Sequence, residues 1–235
     1  MAGGPGRPGG PGVPAGLGRL RSLGLVLALV LSPACSGGGY GRGMNAGPSA
    51  TASGTATPAA GSTRIVGGKD DGFAVQIPAG WTDIRIDNTT LQRLFAKQGA
   101  FDEGVANQIR ILAGRNGKLL AYEDSHRTTN LNVLKVPAAP GTTVDSLVRD
   151  LPNQLIQLGL KDIQVATVTL ASGPAARASA TTPPSAGDGQ AKDLFQLQYY
   201  AVSGSDTYIC VLASDDPARD RARLEAIGQT FTLVR

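Results

Sequence analysis

Residue types that could support hydrolysis occur side by side in Asp124-Ser125-His126. A serine nucleophile, a histidine base and an aspartate that orients the histidine form the relay of serine hydrolases. These three residues are consecutive, and neighbours on a strand point to opposite faces, so they cannot form a relay among themselves. His126 is the only histidine of the chain. We therefore interpret it as a surface residue and predict no catalytic residue.

Two other patterns have chemical associations without the partners that the chemistry needs. Arg64-Ile-Val-Gly-Gly68 resembles the activation junction of chymotrypsin-like proteases, but no Gly-Asp-Ser-Gly-Gly motif accompanies it. One histidine and Cys210 cannot furnish a zinc shell. We interpret Asp70-Asp71 as the start of a loop and Asp215-Asp216 as a helix cap. The sequence predicts neither a metal nor a cofactor.

The N-terminal segment has the order of a signal peptide. Arg19 and Arg21 precede an apolar run over residues 22–31, and small residues lead into Cys35. The run spans only about half of a bilayer's hydrocarbon core, so a permanent membrane helix is the weaker interpretation. Leu31-Ser-Pro-Ala-Cys35 resembles a bacterial lipobox, in which the cysteine receives a diacylglyceryl group. Ordinary cleavage after Ala34 is the alternative.

The second cysteine, Cys210, lies in the apolar stretch Tyr208–Leu212, where a free cysteine acts as a small core hydrophobe. Two cysteines in an exported protein also invite a disulfide. Lipidation of Cys35 leaves Cys210 as a buried thiol, whereas a Cys35–Cys210 disulfide requires ordinary processing. Both possibilities stay open at this point.

Charge and composition divide the chain into three parts. Arg7, Arg19 and Arg21 precede Cys35, so the remainder has 19 basic against 18 acidic residues and no excess to neutralise phosphates. We expect no nucleic-acid partner. We predict a signal peptide over residues 1–34, a lipidated, flexible Gly/Ser/Ala/Thr/Pro stalk over 35–62 and a globular domain over 63–235. The segment before the domain is expected to be disordered.

Hydrophobic spacing in the third part predicts an α+β domain with a mostly antiparallel sheet and two to three helices packed on it. Pro152 is expected to kink or split the middle helix. The helices are predicted from residue 88, over 143–159 and over 217–228. The strands are predicted at 73–77, 84–86, 109–111, 118–124, 129–136, 162–170, 174–181, 192–202, 206–213 and 230–234.

Two adjacent aromatic residues are the candidate interface. Tyr199 and Tyr200 lie on a predicted strand and must face opposite sides of the sheet. We expect one of them to be partly exposed and to anchor a partner.

The opening Phe73-Ala-Val-Gln-Ile-Pro-Ala-Gly-Trp81 and the closing strand from Tyr208, helix and Thr230-Phe231 look like the PsbP-like fold. Within it, the lipobox cysteine, the stalk and the domain length resemble actinobacterial lipoproteins of the LpqN kind. The resemblance to the PsbP-like fold, which is one of element order, covers residues 70–235. It implies a non-enzymatic module that docks onto larger assemblies, with links to envelope lipid biogenesis through protein partners.

These observations lead us to expect an exported lipoprotein on the outer face of the plasma membrane, anchored through Cys35. We expect it to act as a binding or accessory module for a protein or lipidic partner of the cell envelope. One rival is an envelope hydrolase whose catalytic residues are dispersed among common Ser, Asp and Glu. Another is a carrier of a small apolar ligand, which needs a deep, dry cavity between sheet and helices.

Overall fold

The computed structural model describes residues 62–96, 101–184 and 192–234. The predicted signal peptide, Cys35 and all of the predicted stalk except Ser62 lie outside these residues. The strands are β1 Thr63–Gly68, β2 Phe73–Pro78, β3 Trp81–Arg85, β4 Gly117–Glu123, β5 His126–Pro137, β6 Lys161–Leu170, β7 Gly173–Thr182, β8 Leu194–Ser203, β9 Asp206–Ser214 and β10 Thr232–Leu233. The helices are α1 Asn88–Ala96, α2 Glu103–Ala113, α3 Val144–Gln157 and α4 Pro217–Gln229.

Two antiparallel sheets make up the fold. Seven strands form the large sheet in the order β3-β4-β5-β9-β8-β7-β6, and β1-β2-β10 form a small one. Every strand pairing is antiparallel. The predicted α+β class is therefore confirmed.

The large sheet is covered on both faces because its strands carry apolar side chains on both. Leu112 of α2 and Leu151 of α3 belong to the core on one face. The small sheet and α4 cover the other face, where Phe73 and Leu224 are buried. This two-sided covering explains the long apolar runs in β8 and β9, which lie in the middle of the sheet.

Residues 109–111 form part of α2, so the strand predicted there is wrong. Asp102 precedes the helix and its Oδ1 accepts a hydrogen bond from the Val105 backbone nitrogen at 3.0 Å. Val105, Ile109 and Leu112 then fall on one buried face at helical spacing. The period of two between Ile109 and Ile111 is a coincidence within that longer pattern.

The middle helix α3 continues through Pro152 without being split. It begins with a capping box, in which the Thr143 side chain accepts from the Ser146 backbone and Ser146 accepts from the Thr143 backbone. Leu147, Leu151 and Leu155 hold the helix on the sheet on either side of the proline. This buried stripe offsets the loss of one backbone donor.

The ends of the domain also differ from the prediction. β1 adds a strand over Thr63–Gly68 that was not predicted, and it pairs with β2 along its whole length. β10 is only two residues long, Thr232–Leu233, and pairs with the opposite edge of β2. Within the described ranges, no helix has both the length and the apolar character needed to cross a membrane.

Candidate functional site

The predicted interface residues Tyr199 and Tyr200 are both completely buried, with 0% of each exposed, so the expected exposed anchor is wrong. They do face opposite sides of the sheet, and each belongs to a different core. The reason is that β8 lies inside a sheet whose two faces are both covered. Burial raises the pKa of Tyr199 to about 12 and that of Tyr200 well above its ordinary value.

Cys210 is a free, completely buried cysteine in β9. It lies opposite Tyr199 of β8 and Val133 of β5 in the sheet register. Burial raises the pKa of its thiol strongly, so the thiol is protonated and unreactive at neutral pH. This matches the predicted role of a small core hydrophobe.

The three residues with hydrolase-like chemistry do not form a relay. Asp124 and Ser125 occupy the β4–β5 turn, and His126 begins β5 with 41% of its side chain exposed. His126 Nε2 lies 3.7 Å from Asp215 Oδ1, the oxygen that also accepts from the Thr128 hydroxyl at 2.8 Å. Asp216, the second residue of that acidic pair, caps α4 by accepting from the Arg219 backbone nitrogen.

A charged cluster around Asp220 was not anticipated from the sequence. Asp220 lies in the first turn of α4 and is completely buried. Its Oδ2 accepts hydrogen bonds from Thr129 Oγ1 at 2.8 Å, Ser214 Oγ at 2.6 Å and Arg219 Nη2 at 2.7 Å. Its Oδ1 accepts from Arg219 Nε and Arg223 Nη2, each at 2.8 Å.

Glu123 at the end of β4 completes the cluster. Its two oxygens accept from Arg223 Nη1 at 2.9 Å and Nη2 at 2.7 Å, which is a bidentate pair, and Arg219 Nη2 lies 3.3 Å away. The hydrogen bonds from Arg223 lower the pKa of Glu123. The guanidinium of Arg223 also lies 5.9 Å from the centre of the Trp81 ring. The cluster thereby joins α4 to β3, β4, β5 and β9.

The electrostatics of this cluster favour a structural role. Burial alone would raise the pKa of Asp220, but hydrogen bonds from Arg219, Ser214 and Thr129 outweigh it and hold that pKa well below its ordinary range. A general base needs a pKa near the working pH and a free lone pair, and both carboxylates are engaged by arginines. Among the described residues, no group of three or more histidine, cysteine, aspartate or glutamate side chains is arranged to hold a metal ion.

The face between the sheet and helices is polar in its middle. On β8, the Tyr200 hydroxyl donates to Gln198 Oε1, and Gln198 Nε2 donates to Gln196 Oε1 at 2.8 Å. On β5, Asn132 Nδ2 donates to Asn130 Oδ1 at 3.2 Å. The register places Asn132 and Gln198 on either side of Val211, and both amides are at least nine-tenths buried. This region is therefore not the dry apolar cavity that a carrier of apolar ligands needs.

A cleft of about 440 Å³ opens where the β1–β2 turn, the start of α1 and the α2–β4 turn meet. Asp71 pairs with Arg85 at 3.2 Å, and Lys135 pairs with Asp206 at 3.1 Å. Its wall is hydrophilic, because six charged side chains line it: Asp70, Asp71, Arg85, Asp87, Lys118 and Lys135. Ile86, Leu91 and Ala113 contribute the apolar part of the lining, so this cleft is a mixed and mainly charged surface.

The two edges of the large sheet differ in a way that matters for binding. At the β3 edge, Arg64 Nη2 donates to the Trp81 carbonyl at 2.6 Å and to Asp83 Oδ1 at 2.5 Å. The strand is five residues long and carries Asp83 and Arg85. Short length, charge and an occupied carbonyl are the features by which proteins protect an edge from further strand pairing.

The β6 edge has the opposite character. β6 is ten residues long, and among the described residues it pairs on one side only, with β7. Its stretch Ile163–Leu170 contains no charged residue and no proline, and Val165, Val168 and two threonines give it high β propensity. Gln164, Ala166, Thr167 and Thr169 are exposed along it. This edge is the candidate functional site that the geometry supports best.

Comparisons with known proteins find similarity between this chain and solved structures. No family model matches it, and no curated protein matches it. Solved structures do resemble it. Cyanobacterial PsbP (CyanoP) from Synechocystis covers 80% of this chain and 99% of its own, with a TM-score of 0.48 and 12% identity.

Two further structures are similar over most of the described domain. LpqN of Mycobacterium tuberculosis, described as involved in cell envelope biogenesis, covers 76% of this chain and 88% of its own, with a TM-score of 0.39 and 10% identity. The Ran-binding protein Mog1p of Saccharomyces cerevisiae covers 74% and 96%, with a TM-score of 0.42 and 8% identity. The resemblance drawn from the sequence concerned PsbP-like and LpqN-like proteins. PsbP and LpqN are both among the solved structures that this chain resembles.

Proposed function

We propose that this chain is a membrane-tethered, non-enzymatic binding module of the cell envelope that docks to a protein partner through strand β6. In this proposal, lipidated Cys35 holds the module on the outer face of the plasma membrane, and the stalk over residues 35–62 gives it reach. The observation that carries the docking is the long β6 edge, whose stretch Ile163–Leu170 is uncharged and which contrasts with the protected β3 edge.

The chemistry of the edge supports a protein partner over a lipidic one. Every second residue of an edge strand directs its backbone N–H and C=O away from the sheet. Another extended backbone satisfies those groups in order, and this is the basis of recognition by strand addition. Lipid chains have no donors or acceptors to offer them.

The carboxylates at Asp220 and Glu123 support a binding role over hydrolysis. Each is engaged by arginine hydrogen bonds, and the pKa of each lies below its ordinary value, which leaves neither suited to accept a proton at neutral pH. Ser214 donates its hydroxyl proton to Asp220 and is completely buried, so its oxygen does not face solvent.

Site-specific photo-crosslinking in intact cells tests the docking. A photoreactive residue replaces Gln164 on β6 in the full chain, and the matched control carries it at Ala222, an exposed position of α4. We expect a discrete light-dependent adduct from position 164 and none from position 222. Equal capture at both positions would show that β6 is not a docking edge.

A further inference from the structure

We infer that the strand added to β6 is β6 of a second copy of this chain, so that two domains join their seven-stranded sheets into one continuous sheet. This inference rests on the proposed docking through β6 and names the partner. It follows from the charge pattern of the strand, from the symmetry of antiparallel pairing and from where the chain enters the domain.

The first argument is the absence of charge along the pairing stretch. From Ile163 to Leu170, β6 brings no charged side chain to a copy of itself, so self-pairing places no like charges opposite each other. A lysine or another inward charge is one of the devices by which edge strands avoid self-association. β6 keeps its two charges, Lys161 and Asp162, at one end, where the register with β7 is also interrupted.

The second argument concerns register. Two identical strands pair antiparallel around a two-fold axis normal to the sheet, and residues directly opposite each other must lie on the same face. Pairing that overlaps the uncharged stretch therefore centres on Ala166 or on Thr167. In either register, Lys161 and Asp162 lie opposite residues 170–173 of the partner, which are uncharged.

The third argument is the direction of the stalks. A two-fold axis normal to the sheet keeps each face on its own side, so β1 and the small sheet lie on the same side of the joined sheet in both copies. The chain enters the domain at Ser62, directly before β1. Ser62 therefore lies on the same side of the joined sheet in both copies, as anchoring of both in one membrane requires. Parallel pairing of β6 would turn one copy over and send its stalk to the opposite side.

A fourth observation concerns the helix that lies over this edge. Helix α3 packs on β6 and β7, and its Ile156 is 61% exposed, which is unusual for a large apolar residue in this domain. In the antiparallel arrangement, the two α3 helices lie on the same face of the joined sheet, one on each side of the two-fold axis. The exposed isoleucines then belong to the same composite surface.

Two differently tagged copies of the full chain, expressed together, test the inference. One copy carries the photoreactive residue at position 164. We expect an adduct of twice the chain mass that contains both tags, and no such adduct from position 222. An adduct that contains a different protein instead would overturn self-pairing while leaving docking through β6 intact. Failure to obtain any adduct above the control would overturn both.

A charge exchange tests the register and controls for folding. Ala166→Lys in both copies should reduce the two-tag adduct at least tenfold, because the two ammonium groups meet near the axis. Ala166→Lys in one copy with Ala166→Glu in the other should restore at least half of it, which also shows that the variants fold. Ala222→Lys is the matched control and should leave the adduct unchanged. An adduct that is insensitive to Ala166→Lys contradicts the pairing.

Discussion

Asp220 holds a negative charge where no part of its side chain reaches water. Five hydrogen bonds to its two oxygens replace the lost hydration, and Arg219 and Arg223 supply the opposite charge. Removing one partner from such an arrangement is costly because the remaining groups stay buried without it. Asp220 thereby fixes the start of α4 against β5 and β9.

We predict that Asp220→Asn destabilises the protein by about 3 kcal/mol at pH 7, because the neutral amide cannot accept five hydrogen bonds or balance two guanidinium groups. Denaturant unfolding followed by circular dichroism measures the change. Asp145→Asn, at an exposed position of α3, is the control and should change stability by less than about 0.5 kcal/mol. Equal effects of the two substitutions would contradict the structural role of Asp220.

The same pair of proteins gives a pH dependence with a defined sign. Folding lowers the pKa of Asp220, so its stabilisation is complete well above the unfolded-state pKa of about 4 and is lost as the pH falls towards the folded-state value. The advantage of wild type over Asp220→Asn should therefore be constant from pH 7 to about pH 5 and shrink below it. An advantage that grows in acid would refute this assignment.

Local sequence patterns predict the roles of those residues whose partners are close in sequence. The cap at Asp216 bonds to a residue three positions later, and Cys210 is buried by the apolar strand that contains it. Asp220 could not be foretold, because its partner Thr129 lies 91 positions away and the β5–β9 pairing brings them together. The alternating pattern in Arg219-Asp220-Arg221 gave the only local sign, and it is also typical of a solvated helix.

At the scale of elements, α4 approaches β8 closely because its Gly228 has no side chain. A Cβ atom at this position would overlap the ring of Tyr199. The glycine therefore permits close packing of α4 on Tyr199. This packing offsets the conformational entropy that a glycine in a helix loses on folding. This also explains why Tyr199 is completely buried.

We predict that Gly228→Ala destabilises the protein by about 2 kcal/mol, since overpacking outweighs the better helix propensity of alanine. Gly104→Ala in α2 is the matched control, because its Cβ would meet only Asp102 Oδ1 at 3.4 Å. It should be neutral or stabilising by up to about 1 kcal/mol. Thermal unfolding of both variants measures the difference, and a stabilising Gly228→Ala would contradict the contact.

The elements that were predicted best are those with a complete local pattern. β4 to β9 follow runs of apolar residues between turns, and α3 and α4 have caps and buried stripes. The strand prediction at 109–111 is wrong because it rests on two isoleucines alone, whereas the cap at Asp102 and the buried face that follows it extend over the whole helix. β1 was missed because Thr63–Gly68 has little apolar character of its own and depends on its pairing with β2.

At the scale of the whole molecule, the proposed anchor makes a separate prediction. Cys35→Ala should move the protein from the membrane fraction of the producing cells to the soluble fraction or the medium, because the variant has no thiol at position 35 to receive the proposed lipid. Cell fractionation with immunodetection measures this. Cys210→Ala is the control and should remain with the membrane; if Cys35→Ala remains there too, lipidation of Cys35 is not the anchor.

The pairing of strands in the small sheet constrains the order in which the domain can fold. β2 lies between β1 and β10, so Phe73 reaches its neighbour Phe231, 6.3 Å away between ring centres, only when the last helix has been made. A chain that emerges N-terminus first can therefore complete this core only after Phe231 has been synthesised. Until then, Phe73 lacks this neighbour and the core between the small sheet and α4 is incomplete.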